Sequence, residues 1–186
     1  SRVRCPCVVI WLLYGLLAIT VVAVGSILFT ATRVDAVPMP SPPHVHRAVT
    51  NELSRLPGIR RIVEVGSGWG GLAARIARSL PETEVVGIEA SVVPYLVSRA
   101  RRAVGRAPEN LAFRRADFRS MEIERDTAYV CYLSPGVMHD IRAQFESQAP
   151  PGTIMISALF GIRGWQPVRS ATAGDLHRTA ILVYEL

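Results

Sequence analysis

The chain contains no lysine, so all 21 of its strongly basic residues are arginine. A phosphate-binding P-loop needs Gly-Lys-Ser/Thr after its glycines, and that class of nucleotide site is therefore excluded. Cysteine is scarce as well, with 3 in 186 residues. Cys5, Cys7 and Cys131 cannot build a disulfide framework, and Cys131, inside an apolar run, reads as core. The 4 histidines show no metal-ligand spacing, so no metal is expected. His44 and His46 fall in a proline-rich stretch and are expected to be solvated. No repeat or low-complexity tract is present. The net charge of +6 comes from arginines that are scattered and not interleaved with aromatics. That pattern does not point to nucleic acid, whereas a basic domain beside an anionic leaflet accounts for it.

Charge is missing altogether from Cys5 to Thr32, and Val8 to Thr32 is almost wholly apolar. At about 1.5 Å per residue such a helix can cross a hydrocarbon core of about 30 Å. Trp11 and Tyr14 near one end and Phe29 near the other stand where interfacial aromatics stand. A cleavable signal peptide is the alternative, but the run exceeds the roughly 7–15-residue apolar region of such leaders. Residues 1–36 are thus expected to be a retained single-pass anchor. Arg2 and Arg4 on one side and Arg33 and Arg47 on the other leave its orientation undetermined by charge. Residues 37–58 should hold a stiff linker, with Pro38, Pro40, Pro42 and Pro43, and a first helix from Val45 to Leu56 that Pro57-Gly58 ends.

Residues 59–186 open with "RRIVEVGSGWGGLAARIARSL". Ile62 to Val65 is a short β-branched strand, and Leu72, Ala73, Ile76, Ala77 and Leu80 recur at helical spacing until Pro81. Between them Gly66, Gly68, Gly70 and Gly71 give a bare backbone that a ligand can approach, next to helix N-terminal amides. Gly66, Gly68 and Gly71 also fit the dinucleotide pattern GxGxxG. Glu64, however, stands two residues before the first glycine. A carboxylate there suits a cofactor carrying an ammonium and repels a pyrophosphate, which favours S-adenosylmethionine. A second strand ends in Glu89, placed to accept ribose hydroxyls. A third is followed by Asp117, placed to meet an adenine amino group. A fourth, "TAYVCYLSPG", runs into Tyr132, Ser134 and Pro135. Helices from Val92 to Val104 and Val137 to Phe145, then strands in "GTIMISALF" and "AILVYEL", complete an alternating pattern. Such alternation implies an α/β, Rossmann-like parallel sheet with helices on both faces, preceded by one N-terminal transmembrane helix.

The ordered features resemble a class I methyltransferase. The apolar span, "PMPSPP", "GIEAS", "PYLVSRAR", "YVCYLSPGVM" and "ISALFGIRGWQPV" more closely resemble the small membrane-anchored lysine methyltransferases of the ATP synthase c subunit and the adenine nucleotide translocase, and their bacterial relatives. The likeness runs from about Val37 onward, although Trp69 stands where that family commonly has an acidic residue. It implies S-adenosylmethionine bound by Glu64, Gly66, Ser67, Gly68, Gly70, Glu89 and Asp117. It also implies methyl transfer to a lysine ε-amine of a membrane-associated protein, with the catalytic domain cytoplasmic, where the cofactor is made. Tyr132, Ser134 and Pro135 are candidates to orient the nucleophile, and Trp165 to wall the target side chain. A lipid or small-molecule methyltransferase, or a non-catalytic cofactor-binding membrane protein, are the competing readings.

Overall fold

The computed structural model describes residues 6–34, 41–105 and 107–186, so Cys5 and the expected linker from Val37 to Pro40 lie outside it. The elements in chain order are α1 (Pro6–Val34), α2 (Pro43–Leu53), β1 (Arg61–Val65), α3 (Gly71–Ser79), β2 (Glu84–Glu89), α4 (Val92–Val104), β3 (Leu111–Arg115), a 3-10 turn (Phe118–Ser120), β4 (Thr127–Cys131), α5 (Pro135–Gln148), β5 (Ile154–Ala158), β6 (Arg169–Thr172) and β7 (Ala180–Glu185).

The seven strands form one sheet in the order β3-β2-β1-β4-β5-β7-β6. Strands β1 to β5 are parallel. Strand β7 runs antiparallel to both β5 and β6, which corrects the expectation of a wholly parallel sheet. Strand β6 had no clear signature in the sequence. Its residues, Arg-Ser-Ala-Thr, pair only with β7 and lie at the edge, where one face suffices. The Asp175 carboxylate closes the β6–β7 turn by accepting from the Thr179 amide at 2.7 Å and hydroxyl at 2.6 Å.

Successive strand side chains alternate faces, and the core divides accordingly. Ile62, Ala128, Val130, Ile156 and Val183 pack with Val45, Val49 and Leu53 of α2 and Leu72, Ile76 and Ala77 of α3. Val63, Val65, Tyr129, Cys131 and Met155 pack on the other side with Val137, Met138, Ile141 and Phe145 of α5. Cys131 is fully buried there, and burial, reinforced by Glu64, pushes its thiol up to about 12. The helices thus cover both faces, as the alternation of strand and helix predicts.

Helix α2 starts two residues earlier than expected. Pro42 is its N-cap and Pro43 its first residue, where a ring-fixed φ and a missing N–H cost nothing. Helix α1 is a continuous 29-residue element whose described side chains, Trp11, Leu12 and Val22 among them, are exposed, and it meets α4. Among the described residues no helix is long and apolar enough to cross a membrane.

The order of strands reverses between β1 and β4, since β2 and β3 extend one way from β1 and β4 returns to its other side. A crevice opens at such a reversal, at the carboxyl ends of the strands. The glycine turn after β1 and Tyr132 after β4 both lie there.

Candidate active site

Glu64 alternates with Val63 and Val65, which point to the α5 face, so its carboxylate lies on the α3 side of the sheet. It is 3% exposed. Its Oε2 accepts the Ala73 amide N–H at 2.8 Å. Helix α3 begins at Gly70 with no side-chain cap of its own, so Glu64 satisfies one of the helix's otherwise orphaned amides. Burial raises its carboxyl to about 8; the Ala73 bond opposes that rise and the nearby Glu89 charge adds to it.

The turn that follows needs glycine for two reasons. Gly66 and Gly70 have φ of +71° and +77°, in the left-handed region. A Cβ on Gly66 would come within 2.5 Å of Leu133 Cδ2, and one on Gly70 within 2.6 Å of Phe113 Cζ. Ser67 hangs its backbone on β2, donating its N–H to Ile88 O at 2.8 Å. Among the described residues its hydroxyl is buried without a hydrogen-bond partner.

Glu89, at the end of β2 and 7% exposed, holds the turn from the other side. Its Oε2 accepts from Gly68 N at 2.8 Å and its Oε1 from Ser91 N at 2.7 Å. Each carboxylate oxygen has a second lone pair, so a pair of ribose hydroxyls can still be accepted. Asp117 is exposed and caps the 3-10 turn through the Arg119 amide at 3.0 Å.

A cavity of about 200 Å³ gathers Ser41, Glu64, Gly66, Ser67, Trp69, Gly71, Arg101 and Tyr132. Of the expected site residues, Glu64, Gly66, Ser67 and Tyr132 therefore converge. Gly68 and Glu89, bonded to each other, do not line it, and Gly70 faces a neighbouring crevice. Ser134 is the N-cap residue of α5 and Pro135 its first residue. Trp165 does not line this cavity. Its indole N–H donates to Glu146 at 2.9 Å and its ring meets Tyr184 edge-on, on the α5 side of the sheet.

Three features at or beside the cavity escape the sequence reading. Ser41, from the "PMPSPP" entry, lines it and sits 2.8 Å from His46 Nε2. His46 is half-buried, because α2 carries it against Gly71, so it is only partly solvated. Burial lowers its pKa, Arg75 and His44 lower it further, and Ser41 opposes them. His44, likewise half-buried, stands 3.4 Å from Asp175. Arg101 reaches in from α4 and donates to Trp69 O at 3.3 Å. The "SPP" stretch was a usable signal for Ser41; Arg101 had none, because only the packing of α4 beside the turn brings it there.

The arrangement fits S-adenosylmethionine. Among the described residues, a buried carboxyl without a cation, a buried hydroxyl without a partner and a side-chain-free turn are what its ammonium, its polar atoms and its close approach need. No group of three or more metal-ligating side chains occurs among the described residues.

Comparison with known proteins agrees. Residues 64–169 match the ANTKMT methyltransferase domain. The chain is 25% identical over 151 residues to a protein-lysine N-methyltransferase of Saccharolobus islandicus (strain REY15A), covering 77% of this chain and 90% of that one. It also superposes, with a TM-score of 0.68 and 26% identity, on an RNA methyltransferase from Salinibacter ruber in complex with S-adenosyl-L-homocysteine, covering 79% of this chain and 93% of that one. The magnesium protoporphyrin IX methyltransferase of Synechocystis PCC 6803 with bound cofactor shares the fold, at a TM-score of 0.56, 16% identity and coverage of 75% of this chain and 77% of that one. The match over more than half of its length, on a sheet of this topology, shows that the chain belongs to the ANTKMT methyltransferase domain family and is an S-adenosylmethionine-dependent methyltransferase.

Proposed function

We propose that this enzyme methylates a lysine ε-amine on a membrane-associated protein, from a catalytic domain held at the cytoplasmic face of a bilayer by α1. The likeness to the Saccharolobus protein-lysine N-methyltransferase, which spans nearly all of that protein, carries the choice of lysine. The 29-residue α1, with its exposed apolar side chains and its uncharged sequence from Cys5 to Thr32, supports the anchor.

The cofactor supplies an electrophilic sulfonium methyl; orientation and desolvation fall to the chain. Glu64 would hold the cofactor's ammonium, and Glu89 and Asp117 its ribose and adenine. The turn from Gly66 to Gly70 lets the backbone come close. Tyr132 lines the cavity at the end of β4, and Ser134 and Pro135 follow it into α5, so this corner is where the acceptor nitrogen is oriented. The attacking amine must be neutral, which a desolvated approach favours. An anchored domain sees membrane partners at raised effective concentration.

A second reading, RNA methylation, rests on the Salinibacter neighbour, whose identity to this chain is no lower than that of the lysine enzyme. Incubating the full chain with methyl-labelled cofactor and separate membrane-protein, lipid and RNA fractions decides among them. Label on protein, mapped to lysine by mass spectrometry, is the expected result. Label confined to RNA or to lipid refutes the lysine assignment.

A further inference from the structure

The cofactor cavity brings together one acid and one base. Among the described residues that line it, only Glu64 and Arg101 carry a full charge in their ionised forms. Helix α4 holds Arg101 beside the glycine turn, where its Nη1 donates to Trp69 O at 3.3 Å. A backbone carbonyl leaves the guanidinium charge uncompensated. No carboxylate among the described residues lies within ion-pair distance of it. Arg101 is exposed and so stands at the rim of the cavity, whereas Glu64 is buried.

S-adenosylmethionine carries an ammonium and a carboxylate on the same carbon. With the ammonium at Glu64, the carboxylate falls inside the same cavity of about 200 Å³. The ionised Glu64 repels it there, so it needs a cation to offset that charge. Ser41 and Tyr132 offer neutral hydroxyls, and Arg101 alone offers positive charge. A guanidinium also presents paired N–H groups that fit the two oxygens of a carboxylate. The start of α3 favours an anion at the same place, since Gly71 lines the cavity and the first turn of the helix contains no acid.

We propose that Arg101 binds the carboxylate of S-adenosylmethionine, so that Glu64 and Arg101 together grip the two charges of the cofactor's amino-acid end. The proposal rests on the reading of Glu64 as the partner of the ammonium; it depends neither on the methyl acceptor nor on the membrane. Gripped at both charges, the amino-acid end has one direction, and this fixes where the sulfonium presents its methyl. The site thereby selects against cofactor forms that lack the carboxylate.

The test compares S-adenosylmethionine with decarboxylated S-adenosylmethionine, which differ by the carboxylate alone, by calorimetry on the full chain without an acceptor. Arg101→Gln should weaken binding of S-adenosylmethionine about tenfold. It should leave the decarboxylated form bound as tightly or more tightly, because a repelling cation is gone. Arg101→Lys, which keeps the charge but not the fork, should recover part of the loss. Arg102→Gln, on the same helix but outside the cofactor cavity, should change neither affinity. Equal weakening of both ligands by Arg101→Gln would mean that Arg101 only props the turn through the Trp69 carbonyl, and overturns the proposal. So does an unchanged affinity for S-adenosylmethionine. A loss in Arg102→Gln as selective as that in Arg101→Gln would mean a diffuse field of arginines and overturn it too. Glu64→Gln should weaken both ligands, because both keep the ammonium. Undiminished binding of both by that variant would count against the Glu64 reading alone, and the Arg101 comparison, which turns on the carboxylate, would still decide the proposal.

Discussion

The Glu64 carboxylate and the Ala73 amide, 2.8 Å apart, tie the end of β1 to the first turn of α3 across the glycine loop. On the proposed reading one acid serves both the fold and the cofactor, and substitutions can separate the two roles. Glu64→Gln keeps an oxygen that accepts from Ala73 but loses the charge. Cofactor affinity by calorimetry should fall by about 1.5–3 kcal/mol, with little change in melting temperature. Glu64→Ala also orphans the Ala73 N–H and should cost about 1–3 kcal/mol in stability as well.

The raised carboxyl of Glu64 has a signed consequence for pH. Its folded value is about 8 against an ordinary 4.5, so folding favours the protonated form. Its contribution to stability is fully present below 4.5 and is lost as pH rises through about 8. Cofactor binding runs the other way, because the ammonium needs the ionised form. Below about pH 8, binding should release a proton, seen as a dependence of calorimetric heat on buffer ionisation enthalpy. The release should vanish in Glu64→Gln.

Glu89 is held by two amides, from Gly68 and Ser91, one on each oxygen. Glutamine cannot reproduce this, since its NH₂ would face a second donor. Glu89→Gln should therefore weaken cofactor binding nearly as much as Glu89→Ala, by about 1.5–3 kcal/mol. An affinity for Glu89→Gln equal to that of the unsubstituted chain would remove Glu89 from the site.

Gly68 and Gly70 both have positive φ, +51° and +77°. At Gly68 a Cβ meets nothing within 4 Å, so Gly68→Ala should cost only the left-handed backbone penalty of about 1–2 kcal/mol. At Gly70 the same change also strikes Phe113 and Ser98, so Gly70→Ala should destabilise distinctly more. Chemical denaturation of the two variants compares them directly.

Ser67 offers the converse case. Its buried hydroxyl has no partner, so Ser67→Ala should leave the stability of the cofactor-free protein unchanged or slightly raised. Cofactor affinity should nonetheless fall, and an unchanged affinity would show that the hydroxyl does not meet the cofactor.

The strands with a hydrophobic signature, the glycine turn and the acid after each of the first three strands were legible in the linear chain. Each is a local pattern: β-branched runs, a 3.6-residue period, and charge at a strand end. Cofactor class followed from the sequence too, because Glu64 and the glycines lie within a few residues of one another. The structure decided what depends on distant segments. Strand β6 is polar and pairs only with β7, so no apolar run announced it. The reversal of β7 rests on its partners β5 and β6, not on its own residues. Ser41 comes to the cavity, with His46 bonded behind it, because α2 packs its apolar face on the sheet beside α3. Arg101 comes there because α4 lies along the glycine turn, and Trp165 is drawn away by Glu146 and Tyr184. Side chains that act at a site through the packing of separate elements leave no spacing in the sequence, since only burial of those elements' apolar faces fixes how close they come.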